Sequence, residues 1–422
     1  MPVDAGPADP EAAWSVLGGD GRVALEAVEL HRVEVGFRRP VRTSRGVHRR
    51  RPLVLVRVLG TTDHGEAVEG WGECAALADS AYDPEDAEGA ASTLEHVLVP
   101  SLLASAATSG GCLPPVAALP ALRSGAPEAP LAYAALEMAV ADAHLRAAGL
   151  PLADLLGIPD RPVLAGAVVG RYQVEEELLA RVGDLVAAGY PRVKLKIGPG
   201  GDVGPVGAVR RHHPDLLLQV DANESYTEAD ADRLAALDEF GLLCIEQPFD
   251  RRDLGAHARL ASRLRTPVCL DEGLSSPAAV ATALDLGACS VVCVKPARLG
   301  GIAATLATVA ACRRRGVPLW IGGMFESAYA RGVNAAVAGL PGFAWPGDLG
   351  PASDYLDETL VATRRGAPAT VGGLAAVEVP RVPGMGPPPD LEAVVRLGRW
   401  SVRLAAPDGA DRGPPGAADG AV

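Results

Sequence analysis

Apolar runs recur at a regular interval through the middle of the chain, and each is followed by a turn and a helical pattern. Eight such runs occur, with the sequences VLAGAVVG, RVKLKI, LLLQVDAN, LLCIEQP, PVCLDEG, SVVCVKP, VPLWIGG and FAWPGDLG. Strands that are buried on both faces of a parallel sheet have this continuous apolar character. One strand and one crossover helix together take about 25 residues, and eight such units close a barrel. The pattern therefore predicts an α/β fold with a TIM-like (β/α) barrel over residues 159–350.

An ionisable residue stands at the end of five consecutive runs. These residues are Lys196, Asp221, Glu246, Asp271 and Lys295, separated by intervals of 25, 25, 25 and 24 residues. In a (β/α) barrel, groups at the carboxyl ends of the strands gather at one mouth, where active sites are built. The spacing therefore predicts that all five side chains share one site.

The chain on either side of the barrel has a different pattern. Alternating runs over residues 23–78, such as VELHRVEV and LVLVRV, predict antiparallel strands, and apolar residues at helical spacing predict a helix over residues 131–148. Strands followed by helices favour a separate α+β domain over residues 23–158. Residues 1–22 and 405–422 are rich in Ala, Gly, Pro and Asp, so we expect loose tails there.

Charge and cysteine content narrow the class of protein. A net charge of −13 argues against a nucleic-acid-binding protein, which would present a basic face. Seven cysteines without CxxC or other ligand-like spacing indicate reduced thiols rather than a disulfide framework. The first residues are acidic, and no segment approaches the uninterrupted apolar length of a membrane span. We expect a soluble cytoplasmic protein that acts on a small molecule, with no nucleic-acid or membrane partner.

Lysine is rare in this chain. Of 39 basic residues, only Lys194, Lys196 and Lys295 are lysines. A composition that favours arginine has removed lysine from ordinary surface positions, so the remaining lysines occupy sites where arginine cannot substitute. Arginine keeps its proton at any accessible pH, whereas a buried lysine can lose its proton and act as a base. Lys194 and Lys196 point to the same side of one strand, and we interpret Lys196 as the base and Lys194 as a supporting charge near a substrate carboxylate.

Three acidic residues, Asp221, Glu246 and Asp271, end the three strands between the lysine-bearing strands. Three carboxylates at one mouth suit Mg²⁺ or Mn²⁺, which prefer oxygen ligands, and without a cation they would repel one another. The alternative is that each carboxylate caps the following helix, but three in register favour a metal site. A base and a metal-held carboxylate together predict removal of a proton α to a carboxylate, with the metal and the ammonium groups stabilising the dianionic intermediate.

The sequence resembles the enolase superfamily, in its muconate-lactonizing subgroup, and most of all the o-succinylbenzoate synthase / N-succinylamino acid racemase family. The resemblance extends over about residues 25–400. It is carried by the stretches VKLKIGPGGDVGPVGAVR, LLLQVDANESY, IEQPF, CLDEG, VKPARLGG, IGGMFES and PGDLGPASD, and outside the barrel by GWGEC and AYAALEMAVADAHLRAAGLPLADLLG. It implies an enolase-like fold, in which an α+β capping domain accompanies the barrel.

The resemblance also implies roles for particular residues. Metal ligands would be Asp221, Glu246 and Asp271; the acid/base pair would be Lys196 and Lys295; substrate contacts would come from Asn223, Gly323, Met324 and Phe325. A cap loop near Arg42-Thr43-Ser44 would close over the site, and residues 351–404 would return to pack on the cap. Relatives usually assemble, so we expect a homo-oligomer.

Two reactions use these parts equally well, and the sequence leaves both open. They are syn-dehydration to o-succinylbenzoate and racemisation of an N-acylamino acid. A dipeptide epimerase or a muconate-type cycloisomerase is the alternative, but the segment PGDLGPASD lacks the Asp-x-Asp pattern that would hold a dipeptide amino group. A non-catalytic barrel is disfavoured because all five ionisable landmarks are intact. The segment 167–171 and the bulky Phe325 depart from the family pattern, which leaves the acyl and side-chain specificity open.

Overall fold

Three β-sheets organise the part of the chain that the computed structural model describes, namely residues 9–19, 23–43, 46–80, 82–361 and 369–406. The outer parts of the two predicted tails, residues 1–8 and 407–422, lie outside the described residues. So does Ser44 of the predicted cap loop.

The strands in these residues are β1 (Val23–Thr43), β2 (Gly46–Thr62), β3 (Ala67–Cys74), β4 (Val163–Leu164), β5 (Ala167–Val169), β6 (Arg192–Lys196), β7 (Leu217–Asp221), β8 (Ile245–Glu246), β9 (Val268–Leu270), β10 (Val291–Val294), β11 (Leu319–Ile321), β12 (Ala369–Val371), β13 (Leu374–Val377) and β14 (Gly398–Ala405).

The α-helices are α1 (Pro10–Ser15), α2 (Ala87–Thr93), α3 (Val99–Thr108), α4 (Pro130–Ala147), α5 (Leu152–Leu155), α6 (Glu175–Ala187), α7 (Val203–His212), α8 (Ala231–Ala235), α9 (Leu254–Ala261), α10 (Pro277–Asp285), α11 (Pro296–Leu299), α12 (Ile302–Arg314), α13 (Ala328–Ala338) and α14 (Leu391–Leu397). Short 3-10 helices add Val116–Gly125, Glu228–Asp230, Ala236–Phe240 and Ala352–Asp354, and Leu94–Leu98 is a π-helical turn. None of the helices in the described ranges is both long and apolar enough to cross a bilayer.

The strands β5 to β11 form one parallel sheet in chain order, and helices follow these strands in the chain. The segment that follows α13 closes this sheet into a barrel. On one side the Ala344 N–H donates to the Leu319 carbonyl of β11 (2.9 Å), and on the other the Gly166 N–H donates to the Gly347 carbonyl (2.7 Å). The bridges Leu319–Phe343 and Ala165–Gly347 are both parallel. The prediction of a TIM-like (β/α) barrel is therefore confirmed.

A second domain is built on the antiparallel sheet β14-β1-β2-β3. The helix α4 packs on this sheet and is buried along almost its whole length, which explains why most of its residues are apolar. Two glycines of β3 let the helix approach closely, because a Cβ at Gly70 or Gly72 would collide with backbone atoms of α4. The strand β14 comes from near the end of the described chain and pairs with β1, so this sheet joins distant parts of the sequence.

The prediction of a loose tail over residues 1–22 is wrong where the structure describes that segment. The helix α1 begins after Asp9, whose carboxylate accepts the Glu11 N–H at 3.1 Å. Its Trp14 is only 3% exposed, and α1 packs against α12. One tryptophan buries enough apolar surface to anchor a short helix, although the average composition of the segment indicates little to bury.

We expect Gly72→Ala to destabilise the protein strongly, because the new Cβ would stand 1.9 Å from the Ala135 carbonyl oxygen of α4. Overpacking of this kind costs about 1–3 kcal/mol, and here backbone meets backbone, so the upper end applies. The measurement is the midpoint of urea unfolding. Gly183→Ala in α6 is the matched control: its Cβ meets open space, and it should be neutral or slightly stabilising. Equal midpoints for the two variants would contradict the close packing of β3 on α4.

Candidate active site

Parallel register brings the five predicted ionisable residues to one end of the barrel. Lys196 of β6 lies opposite Asp221 of β7, and Asp221 lies opposite Glu246 of β8. Asp271 and Lys295 directly follow β9 and β10. All except Lys196 are buried. The structure thus gathers the five residues in one place, as their spacing predicts.

Lys196 is the more accessible lysine of the site. Its side chain is 31% exposed, whereas the side chain of Lys295 is 5% exposed. The Nζ atom of Lys196 donates to Asp221 Oδ2 and to Asn223 Oδ1, both at 2.6 Å. The ammonium therefore has one charged and one neutral partner on the same side of the mouth.

Lys295 is held by a different set of groups. Its Nζ donates to Asp271 Oδ2 and to the Tyr82 hydroxyl, both at 2.7 Å. Burial opposes the charged form, but the Asp271 carboxylate outweighs it and raises the pKa of Lys295. Asp271 also accepts from Arg298. Although burial disfavours ionisation of Asp271, Arg298 and Lys295 hold the pKa of this carboxyl well below its usual range.

Glu246 is in the opposite electrostatic situation. Burial and the nearby Asp221 raise the pKa of Glu246 to about 8. One ligand atom each from Glu246, Asp271 and Cys293 lies within 4.8 Å of the other two, a grouping able to hold a metal ion. Carboxylate oxygens dominate the donors here, and a divalent cation would offset their repulsion, so the residues fit a hard metal ion. Asp221 is not in that grouping, and sequence analysis did not predict Cys293.

Lys194 lies one layer deeper than Lys196, on the same strand. Its Nζ is 3.3 Å from Asp221 Oδ2, 3.1 Å from Glu246 Oε2 and 2.8 Å from Asp348 Oδ2. Burial disfavours its charge, but the three carboxylates together raise the pKa of Lys194 well above its usual value. Lys194 is therefore a fixed positive charge beside two of the predicted metal ligands.

Asp348 is a site residue that sequence analysis missed. It lies on the segment that closes the barrel, and it joins Lys194 to the fully buried Arg192. Both cations also lie over the ring of Trp320, with Lys194 Nζ at 4.6 Å and the Arg192 guanidinium at 5.1 Å from its centroid. The sequence did contain a signal for Asp348, because Gly347, its neighbour, lies 52 residues after Lys295, close to two further strand intervals.

The predicted substrate contacts lie in two loops above the mouth. Asn223 follows β7, and its Nδ2 donates to Glu272 Oε1 at 2.9 Å. The loop after β11 carries Gly323, Met324 and Phe325. The Phe325 ring packs edge-on against Phe37 and Tyr355, with centroids 5.4 and 5.5 Å apart.

Arg51 of β2 connects the loop that follows β11 to the domain of the antiparallel sheet. Its guanidinium donates to the carbonyls of Met324 (3.0 Å) and Phe325 (3.1 Å), and also to those of Ala75 and Ala76. Arg51 is 1% exposed. Nothing in the sequence distinguishes it from the other 35 arginines, because most of the carbonyl groups that it binds are far away in the chain.

Tyr82 brings the antiparallel domain into the mouth itself. Its hydroxyl lies 2.8 Å from Asp271 Oδ2, and its ring faces both Lys295 and Arg298. The neighbouring Asp83 accepts from Arg298 Nε at 2.9 Å. Arg298 falls within the motif VKPARLGG, but its role as the cation that pairs with Asp271 becomes visible only in three dimensions.

Comparisons with known proteins agree with this architecture. The chain matches the family model "Enolase C-terminal domain-like" over residues 177–394 and the model "Mandelate racemase / muconate lactonizing enzyme, N-terminal domain" over residues 27–157. It is 43% identical to an N-succinylamino acid racemase of Amycolatopsis over 86% of this chain and 95% of the relative. It is 37% identical to an o-succinylbenzoate synthase of Geobacillus kaustophilus, over 90% of this chain and 97% of the relative.

Solved structures give the same result. An enolase superfamily member from Listeria innocua superimposes with a TM-score of 0.83 at 30% identity, covering 91% of this chain and all of that one. A probable mandelate racemase from Alicyclobacillus acidocaldarius superimposes with a TM-score of 0.81 at 35% identity, covering 90% and 99% of the two chains.

Fold and site together define a metal-dependent (β/α)-barrel enzyme with an α+β capping domain. The chain belongs to the enolase superfamily and, within it, to the o-succinylbenzoate synthase / N-succinylamino acid racemase family. Enzymes of this superfamily remove a proton next to a carboxylate and stabilise the resulting anion with a bound metal ion.

We expect Asp348→Asn to destabilise the protein by about 3 kcal/mol, because removing one partner of a buried ion pair leaves the other charge uncompensated. The measurement is the free energy of urea unfolding in one buffer. Asp232→Asn is the control, since Asp232 pairs with Arg263 on the surface and its side chain is 93% exposed. The free energy of unfolding should fall much less in this control, because the pair that it breaks is exposed to water. Similar losses of unfolding free energy in both variants would show that Asp348 does not compensate the buried charges of Lys194 and Arg192.

The raised pKa of Glu246 predicts that divalent cations bind more tightly as pH rises. A metal ligand must be ionised, and a carboxyl with a pKa of about 8 is mostly protonated at pH 7. The association constant for Mg²⁺ should rise roughly tenfold per pH unit up to about pH 8 and then level off, with about one proton released per ion at pH 7. Calorimetry in buffers of different ionisation enthalpy measures both quantities. An affinity that is flat from pH 6 to 8 would contradict the assignment.

Proposed function

We propose that this enzyme removes the α-proton of a succinylated carboxylate substrate, with Lys196 and Lys295 as its acid/base pair. The observation that carries the proposal is the placement of two amines on β6 and after β10, with carboxylates of the intervening strands between them. Proton transfer by positioned groups of this kind is general acid–base catalysis. In this proposal the two amines act on opposite faces of a common substrate.

We propose Mg²⁺, or Mn²⁺ in its place, as the metal, with Asp221, Glu246 and Asp271 as its ligands. A bound ion would supply positive charge that stabilises the developing enediolate. The donor set supports this choice, because it consists mainly of hard oxygens. Asp221 shares Lys194 with Glu246, which keeps the two carboxylates on one side of the mouth.

The remaining residues of the site bind and orient. Lys194 provides a fixed positive charge toward the substrate carboxylate, since its own pKa is raised and it stays protonated. Asn223 and the loop Gly323-Met324-Phe325 line the substrate site. Arg51 holds that loop by its carbonyl groups, so the cap contributes to the shape of the pocket.

Relatives of this chain carry two activity names, and we propose that the site supports both reactions. In the dehydration that forms o-succinylbenzoate, Lys196 takes the α-proton and delivers it to the hydroxyl group on the same face, which leaves as water, while the Lys295 ammonium stabilises the anion. In racemisation of an N-succinylamino acid, one lysine removes the α-proton and the other returns a proton to the opposite face. Racemase and synthase relatives at 43% and 37% identity support this pair of substrates.

A dipeptide epimerase is less well supported. The acidic residue of the closing segment, Asp348, is already paired with Lys194 and Arg192, so it is not free to hold a substrate amino group. A muconate-type cycloisomerase is also weaker, since the chloromuconate cycloisomerase of Cupriavidus pinatubonensis is 29% identical over 72% of this chain.

We further propose a cytoplasmic homo-oligomer that acts on a small carboxylate. All seven cysteines are free thiols, which suits a reducing compartment. For the domain division we propose a cap over residues 23–158, a barrel over residues 159–350 and a returning segment over residues 351–404. Pairing of β14 with β1 supports the last of these.

We expect Lys196→Ala and Lys295→Ala to abolish α-proton exchange on opposite faces of the substrate. Each variant, incubated with Mg²⁺ and the separate enantiomers of an N-succinylamino acid in heavy water, should lose exchange with one enantiomer by about a thousandfold or more, the general-base contribution being about 10²–10⁴. Exchange with the other enantiomer should persist. Proton NMR of the α-position measures the rates.

Arg263→Ala is the control, because it removes a cation from the barrel surface. It should leave both exchange rates near those of the unmodified enzyme. Undiminished exchange in Lys196→Ala would remove Lys196 from the mechanism, and loss of both enantiomers in each variant would mean that the lysines do not act on separate faces.

A further inference from the structure

Asn223 occupies a strained turn directly after a predicted metal ligand. Asn223 and Glu224 both have positive φ, at 42° and 61°. Consecutive non-glycine residues in this region cost free energy and persist where the surroundings hold them, often at functional sites. The turn is held in part by the Asn223 N–H, which donates to Asp221 Oδ1 at 3.0 Å. This backbone conformation aims the Asn223 side chain between Lys196 and Glu272.

The two ends of the Asn223 amide have different partners. Oδ1 accepts from Lys196 Nζ at 2.6 Å, and Nδ2 donates to Glu272 Oε1 at 2.9 Å. An ammonium group can only donate, and the carboxyl oxygen of Glu272 accepts. Only one of the two amide orientations satisfies both neighbours. Lys196 and Glu272 therefore favour the same orientation of the Asn223 amide, and Glu272 holds the end that faces away from the lysine.

Among the described residues, the side-chain hydrogen bond of Glu272 goes to Asn223, and its carboxyl group also faces the charges of Arg298 and Lys295. It is 3% exposed, and its Oε2 has no hydrogen-bond partner in the part of the chain that the structure describes. Burying a carboxyl with one oxygen unpaired is unfavourable, so an apolar residue would serve stability better. The hydrogen bond to Asn223 is a feature that an apolar residue could not reproduce.

We propose that Glu272 is a positioning residue for Lys196, acting through the orientation of the Asn223 amide. The inference rests on the proposed role of Lys196 as one of two bases. With Glu272 in place, Asn223 presents its oxygen to Lys196 and holds Nζ at the mouth. Without that acceptor the Nδ2 end of the amide is no longer held, so the Asn223 side chain is free to move and Lys196 loses a rigid neutral anchor.

The effect should fall on one face of the substrate. Lys295 is held by Asp271 and Tyr82, neither of which depends on Asn223. A defect that acts through Asn223 therefore slows proton transfer by Lys196 and spares transfer by Lys295. A general loss of structure or of metal binding would slow both transfers equally.

The test is Glu272→Leu, which removes the acceptor and keeps a side chain of similar size. Exchange of the α-proton in heavy water is measured for each enantiomer of an N-succinylamino acid with saturating Mg²⁺. We expect at least a tenfold loss for the enantiomer that Lys196→Ala abolishes and less than a threefold loss for the other. Glu272→Gln can still accept through its carbonyl oxygen and should restore most of the lost exchange.

The outcomes separate the two levels of the proposal. Equal losses for both enantiomers, or no loss for either, would overturn the role of Glu272 while leaving both lysines as bases. If Lys196→Ala itself shows no enantiomer-specific loss, the proposed function fails instead. Glu272→Ala replaces the leucine variant if that variant does not fold.

A double variant tests whether Glu272 acts through Asn223. Asn223→Ala should show the same one-sided loss of exchange, and adding Glu272→Leu to it should slow exchange no further. An additional tenfold loss would mean that Glu272 acts by another route.

Discussion

Balance of buried charge at the barrel mouth is the constraint on which this structure depends. Carboxylates and cations alternate there with almost no access to water, and an unpaired charge in such a place is very unfavourable. Two carboxyls illustrate the result. Asp271 pairs with Lys295 and Arg298 and has a strongly lowered pKa, whereas Glu246 shares Lys194 with its neighbours and has a pKa of about 8. Residues of similar chemistry thus differ because their partners differ, and the carboxyl with the weaker compensation is the one a metal ion would stabilise most.

The same balance makes the two lysines unequal. Lys196 is partly exposed and has an amide as one of its two partners, whereas Lys295 is buried between a carboxylate and a phenol. Their surroundings can therefore change independently. Such independence suits a family with members named as a synthase and as a racemase, since the proposed dehydration uses one lysine as base and the proposed racemisation uses both.

Side chains of the capping domain contact charged groups and a loop at the barrel mouth. Tyr82 reaches Asp271 and Lys295, and Arg51 fixes the carbonyls of the loop that carries Phe325. The aromatic contact between Phe37 and Phe325 joins the same two domains. Any rearrangement of the cap therefore changes both the loop that carries Phe325 and the surroundings of Lys295. In the proposed mechanism, substrate specificity and proton transfer are linked through these few contacts.

By itself the sequence determined the barrel, the order of its strands and the five ionisable residues at their ends. Burial on both faces of a parallel sheet imposes a regular apolar repeat, and a lysine that cannot become arginine stands out in an arginine-rich chain. Tertiary structure alone decided the partners: Asp348 beneath Lys194, Glu272 behind Asn223, and Tyr82 beside Lys295. It also decided that Trp14 anchors a helix in a segment predicted to be loose. Tyr82 and Lys295 are 213 residues apart in sequence, and a local pattern records how much each residue is buried but not which distant element covers it.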